Sequence, residues 1–292
     1  MTALDPALIG GLNFGVAMLA ATPVTILVRR YGTHAPMVVG VILQAGGFIT
    51  ASFAHEIWQL YLTQGILVGM GVGMQFVPSV AIISQWFDKK RSVATGITSA
   101  GAGVGGVIFS FVTQAIIKNI SLGWALRITG IVSGVMNLVA TALIRDRRAD
   151  IKPTIRGFDW RLLKRLDVLL LFGWAFPSML GYMTLLYSLP DFSRSSGFTS
   201  SQAAATAAFL NLGTAVGRPC VGLLSDRFGR IEVAGIMTFL NTVAVFAIWL
   251  PARSYGVTVF YAIIDGAILG VFWMVSREAW SQQNRTNEDE DD

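Results

Sequence analysis

Nine runs of about twenty apolar residues follow one another along this 292-residue chain, long enough for each to cross a bilayer as a helix. They lie at 7–28, 36–54, 58–86, 92–117, 123–144, 166–189, 202–225, 231–250 and 254–276. The runs are apolar throughout, without the polar–apolar alternation of barrel strands, so the expected fold is all-α and membrane-embedded. Only 13% of the residues are charged, against roughly a quarter in a soluble domain. Many of the 31 glycines fall inside the apolar runs, where small residues let membrane helices approach closely.

Lysine and arginine order the loops. Arg29, Arg30, Lys89, Lys90, Arg91, Arg145, Arg147, Arg148, Lys152, Arg156, Arg161, Lys164, Arg165, Arg227, Arg230, Arg277 and Arg285 fall on one side; Lys118, Arg194 and Arg253 fall on the other. The positive-inside rule makes the rich side cytoplasmic. The net charge of +5 is thereby spent on topology, and no nucleic-acid partner is expected. The single cysteine, Cys220, lies in an expected span, which excludes a disulfide framework and suggests a small packing residue. No basic leader with a cleavage site opens the chain.

Domain organisation follows from the longest loop. Five spans (1–144) form one expected bundle, four (166–276) a second, and the basic cytoplasmic stretch 145–165 links them. Phe158–Lys164 within it reads either as an interfacial amphipathic helix or as a solvated loop. Residues 277–292 end in a polar, acidic tail expected to be disordered. His34 and His55 sit in loops without metal-ligand spacing, and no nucleophile constellation is present. Neither an enzyme nor a cofactor is expected.

A basic turn marks the second bundle: Gly222-Leu-Leu-Ser-Asp226-Arg227-Phe-Gly229-Arg230. A worn copy, Leu27-Val-Arg29-Arg30-Tyr-Gly32-Thr33, lies near the start, with Arg29 where Asp226 stands and Thr33 where Arg230 stands. Gly222 suits close helix contact, Asp226 can cap or pair with a neighbouring helix, and Gly229 suits a tight turn. The alternative is a generic basic loop with a glycine turn. The motif resembles the signature G-x-L-x-D-R-x-G-R of the major facilitator superfamily, in which this turn acts as a latch on one access state. Gln85-Trp86-Phe87-Asp88-Lys89-Lys90-Arg91-Ser92, Ala94-Thr95-Gly96, Trp124-Ala-Leu-Arg127 and Asn211-Leu-Gly213 through Gly217-Arg218-Pro219 narrow the resemblance to the monocarboxylate porters, their fungal branch above all.

The resemblance implies two six-helix bundles and alternating access. Measured from the two turns, one helix is missing before the first and two after the second, leaving nine of twelve. It further implies a secondary active transporter, a symporter of a small organic anion with a proton, in the plasma membrane. An exporter of fungal secondary metabolites and a truncated, transport-inactive protein are the alternatives.

Candidate site residues are the ionisable and polar groups inside spans, which are costly there and usually functional. Arg218 matches a family arginine that binds anions, but its aspartate partner one turn earlier is Thr214; snorkelling is the alternative. Arg127 reads as a helix-orienting or snorkelling group, or as a substrate contact. Asp265 reads as a proton-coupling acid or as a merely hydrogen-bonded one. Asn211, Tyr182, Tyr187, Phe272 and Trp273 are candidate cavity liners, with plain packing as the other reading.

Overall fold

The computed structural model describes residues 4–87, 90–146 and 164–268. Every element is helical: α1 (Leu4–Leu19), α2 (Ala21–Tyr31), α3 (His34–Ala51), α4 (Ile57–Leu60), α5 (Val68–Trp86), α6 (Arg91–Asn119), α7 (Leu122–Leu143), α8 (Leu166–Ser195), α9 (Ser200–Phe228), α10 (Arg230–Ala244) and α11 (Tyr255–Ile268). Wider π-helical turns join α4 to α5 (Tyr61–Leu67) and extend α10 (Val245–Trp249).

Seven of these helical stretches are long and apolar enough to span a membrane. The first expected span is a bent pair, Leu8–Leu19 and Ala21–Tyr31, angled by 43°; counted as one, it makes eight. Pro23 explains the bend, because it has no N–H to offer the carbonyl four residues back and its ring crowds that turn. The ninth expected span is represented by α11, which is apolar but ends at Ile268 among the described residues. The remainder of that run, with Phe272 and Trp273, lies outside them. So do most of the 145–165 stretch and the acidic tail.

The helix ends follow local chemistry. Ser121 caps α7 by accepting the Trp124 N–H at 3.3 Å. Thr199 and Gln202 form a reciprocal capping box on α9, with bonds of 3.3 and 2.9 Å. Gly229 turns the chain between α9 and α10 at φ +97°, a conformation most side chains resist.

Two compact units result: Met1–Asp88 with Val112–Phe158, and Lys89–Phe111 with Asp159–Asp292. The division differs from the expected bundles 1–144 and 166–276, because the first part of α6 groups with the second unit. In the first unit α3 is central, packed on α5 and α7. In the second, α9 and α11 form the tightest pair.

Close backbone approach explains the glycines at these contacts. A Cβ on Gly69 would sit 2.5 Å from the Asn13 carbonyl, and one on Gly73 would sit 2.7 Å from that of Ala17, so α1 and α5 touch backbone to backbone. Gly213, Gly217 and Gly266 do the same for α9 and α11, where an added Cβ would strike Ile263, Ala267 and Leu210. Outward faces are strongly apolar: Leu19, Leu143, Ile231 and Leu250 are all more than three-quarters exposed. Exposed apolar surface on this scale belongs in lipid rather than water.

Candidate functional site

The basic turn of the second unit is fastened to α6. Asp226, at the end of α9, accepts the backbone N–H groups of Ser92 (3.2 Å) and Val93 (3.0 Å) in the first turn of α6. Those N–H groups lack partners within their own helix and carry the positive end of its dipole, so a carboxylate suits the position. Arg230 stands 3.5 Å from the same carboxylate. Gly222 lies one turn before Asp226, where a Cβ would come 2.7 Å from the Ser92 carbonyl. Arg227 lies over the ring of Phe228, 5.3 Å from its centre.

The worn copy in the first unit uses other chemistry. The Thr33 hydroxyl donates to the Asp146 carboxylate. His34 Nε2 meets the Ile144 carbonyl at 3.0 Å, and the Trp86 indole donates to the Arg145 carbonyl at 3.2 Å. The residues after α7 are thereby tied to the start of α3 and the end of α5.

Arg218, on α9, is buried, with 7% of its surface exposed. It does not snorkel. Its guanidinium donates to the Ser99 carbonyl at 3.1 Å, and its Nε has no hydrogen-bond partner. The Tyr182 hydroxyl faces the same guanidinium. Thr214, one turn earlier, spends its hydroxyl on the carbonyls of Leu210 and Gly266, both at 3.1 Å. Asn211 donates to the Ala207 carbonyl at 2.9 Å, and its amide fills the space that a Cβ on Gly106 would need.

A cavity of about 690 Å³ opens among α8, α10 and α11. Trp174, Tyr182, Asn241, Trp249, Tyr261 and Asp265 contribute its polar and aromatic lining. Asp265 is almost wholly buried, the only carboxyl so placed among the described residues. The Tyr261 hydroxyl donates to its Oδ1 at 3.3 Å, while its Oδ2 makes no well-formed hydrogen bond. The Asn241 Oδ1 and the Trp249 Nε1 are also buried and unpartnered. The Trp249 and Tyr261 rings stack, with centres 5.4 Å apart.

The other candidates separate. Arg127 donates to the Ser52 hydroxyl at 2.9 Å and lies over Phe53 and Trp124, 4.4 and 5.2 Å from the ring centres. Its contacts tie the start of α7 to the end of α3. Phe272 lies outside the described residues, and Tyr187 has no describable side chain. Cys220, expected to be packed, is exposed on α9.

One polar cluster was not anticipated from the sequence. Gln44 Oε1 accepts from Gln75 Nε2 at 2.6 Å and from Asn137 Nδ2 at 3.1 Å, joining α3, α5 and α7. Three amides inside apolar runs were the available signal.

Residues 1–285 match the family model described as the Major Facilitator Superfamily. The chain belongs to that superfamily. It is similar to the "Probable transporter MCH2" of Saccharomyces cerevisiae, 34% identical over 275 residues, which covers 92% of this chain and 58% of that protein. The "Uncharacterized transporter ESBP6" of the same yeast is 33% identical, covering 91% and 42%. The "MFS-type transporter opdF" of Penicillium oxalicum is 28% identical, covering 87% and 61%. The chain thus spans between about two-fifths and three-fifths of the length of these relatives. As a major facilitator protein it is a multi-pass membrane protein with an all-α fold.

Proposed function

We propose that this major facilitator protein is a secondary active transporter of a small, monocarboxylate-like organic anion, working by alternating access between two helical bundles. The observation that carries the reading is Arg218, a buried guanidinium with one backbone acceptor and an unpartnered Nε. A cation held in an apolar span is expensive, and a carboxylate that docks on it satisfies both charges. Asp265 is the proposed proton-holding group. The Asp226 junction with α6 is the proposed latch on one access state, and the plasma membrane is the proposed location.

The test is uptake of radiolabelled lactate by proteoliposomes holding the full 292-residue chain. Wild-type vesicles should exceed empty ones, Arg218→Ala should fall to background, and Arg218→Lys should keep part of the rate. Uptake unchanged by Arg218→Ala overturns the role of the arginine. Wild-type vesicles no better than empty ones overturn the transport reading and leave a transport-inactive membrane protein.

A further inference from the structure

We infer that the cavity among α8, α10 and α11 is a binding site for a small organic cation, a protonated amine, with Asp265 as its counter-ion. Neither Arg218 nor the transport reading is needed for this assignment, in which Asp265 is ionised when the ligand binds instead of holding the proton proposed above.

Its volume of about 690 Å³ falls within the usual range for a small-molecule site. Its polar atoms decide the sign of the ligand. Asp265 Oδ2 and Asn241 Oδ1 make no well-formed hydrogen bond there, although the Asn241 side chain lies against the Asp265 carboxyl. Buried acceptors without donors are costly, and a group bringing several N–H donors relieves both together. No lysine, arginine or histidine lines the cavity among the described residues. Arg218 lies behind Tyr182 rather than in the wall, so an anionic ligand would meet the Asp265 carboxylate first. A neutral donor would satisfy the acceptors but leave the carboxylate uncompensated in a span.

The walls agree with this sign. Trp249 and Tyr261 present stacked rings, and Trp174 and Tyr182 add two more aromatics. Aromatic faces attract cations, and the attraction grows where water is excluded. Trp174 donates its own N–H to Thr238 at 3.1 Å and needs no ligand. The unpartnered Trp249 N–H offers one donor to a hydroxyl or carbonyl elsewhere on the same ligand. The ligand class is therefore an aryl- or alkylammonium of modest size with its charged end at Asp265.

The experiment uses the full chain in lipid nanodiscs and reads tryptophan fluorescence, since Trp174 and Trp249 both line the cavity. Three probes of one shape and different charge are titrated: phenethylammonium, 2-phenylethanol and phenylacetate. Phenethylammonium should quench saturably, with the alcohol at least about tenfold weaker, as a charge-assisted bond implies. Phenylacetate should not bind there. Asp265→Asn should cost the amine about tenfold or more and the alcohol clearly less. Equal binding of amine and alcohol overturns the proposal, as does an amine affinity indifferent to Asp265→Asn. The charge series on the wild-type protein decides the matter even if the variant fails to fold.

Discussion

Removing the Asp226 carboxylate should release the first turn of α6. Asp226→Ala leaves the N–H groups of Ser92 and Val93, now bonded at 3.2 and 3.0 Å, without their acceptor. Ser92 is buried, so water replaces the lost oxygen poorly. Bonds to a charged acceptor contribute about 1.5–3 kcal/mol each, and the helix-terminus charge adds about 0.3–1 kcal/mol. The two bonds share one side chain and are not independent, so the local cost should be about 2–4 kcal/mol rather than the full sum. The Arg230 contact, at 3.5 Å and between partly covered side chains, should add little. At 1.4 kcal/mol per decade, the amides of Ser92 and Val93 should exchange with solvent about 30- to 1,000-fold faster. Hydrogen–deuterium exchange on a peptide covering 90–98 measures this. Asp226→Asn keeps one acceptor oxygen and should fall between Ala and wild type. Unchanged exchange in Asp226→Ala would refute the view that this carboxylate fastens the helix. Global unfolding of the variant would show in every peptide, whereas the prediction is confined to one.

Other substitutions test neighbouring contacts. Gly217→Val should destabilise the second unit by about 1–3 kcal/mol or disrupt the α9–α11 pair outright, read as a lower melting temperature in detergent, because its Cβ would strike Ala267. Gly235→Ala meets nothing within 4 Å and should be neutral or slightly stabilising in the same assay. Gln44→Leu removes the acceptor shared by Gln75 and Asn137 and should cost about 1–2 kcal/mol in thermal unfolding of the chain. Arg127→Met should cost about 1–2 kcal/mol by the same measure, and Arg127→Lys less, since lysine keeps the charge over Phe53.

Much of the fold was legible because membrane crossing imposes a length and an apolarity that survive in any context. Long spans such as 122–143 and 230–249 fall within a residue or so of their expected limits. The bend at Pro23 and the π-turn at Tyr61–Leu67 were less legible, since a run of apolar residues carries no record of its axis. The site divides in the same way. Asp226, Gly222 and Gly229 sit where their chemistry suggested, because short-range turn geometry and a helix end depend on few neighbours. Arg127 was harder: its partners Ser52 and Phe53 are far away in sequence, and only packing brings them together. Asp265 could be singled out as a buried acid, but Asn241 and Trp249, which turn it into a lined cavity, carry no motif. The Gln44 cluster escaped because an amide is uncharged and costs little until its partners are known.

The two units repeat one packing solution with different local chemistry. Gly69 and Gly73 are spaced four apart and set α5 against α1; Gly213 and Gly217 have the same spacing and set α9 against α11. In the second unit the helix bearing the basic turn is pressed backbone-to-backbone against a later helix; in the first, the helix so pressed is α1, the other half of the bent pair that leads into the turn. That contact has little freedom to vary, because any Cβ on these glycines meets main-chain atoms. The turn itself is freer. At Gly229 it ends in a carboxylate on a helix terminus, and at Gly32 in a threonine hydroxyl on Asp146. Such pairs should keep what the backbone contact demands, while the turn, whose fastening differs between the units, is freer to vary. The first-unit turn is fastened to a carboxylate supplied from elsewhere in the chain, and Thr33→Ala should speed exchange at the start of α3 without touching α6.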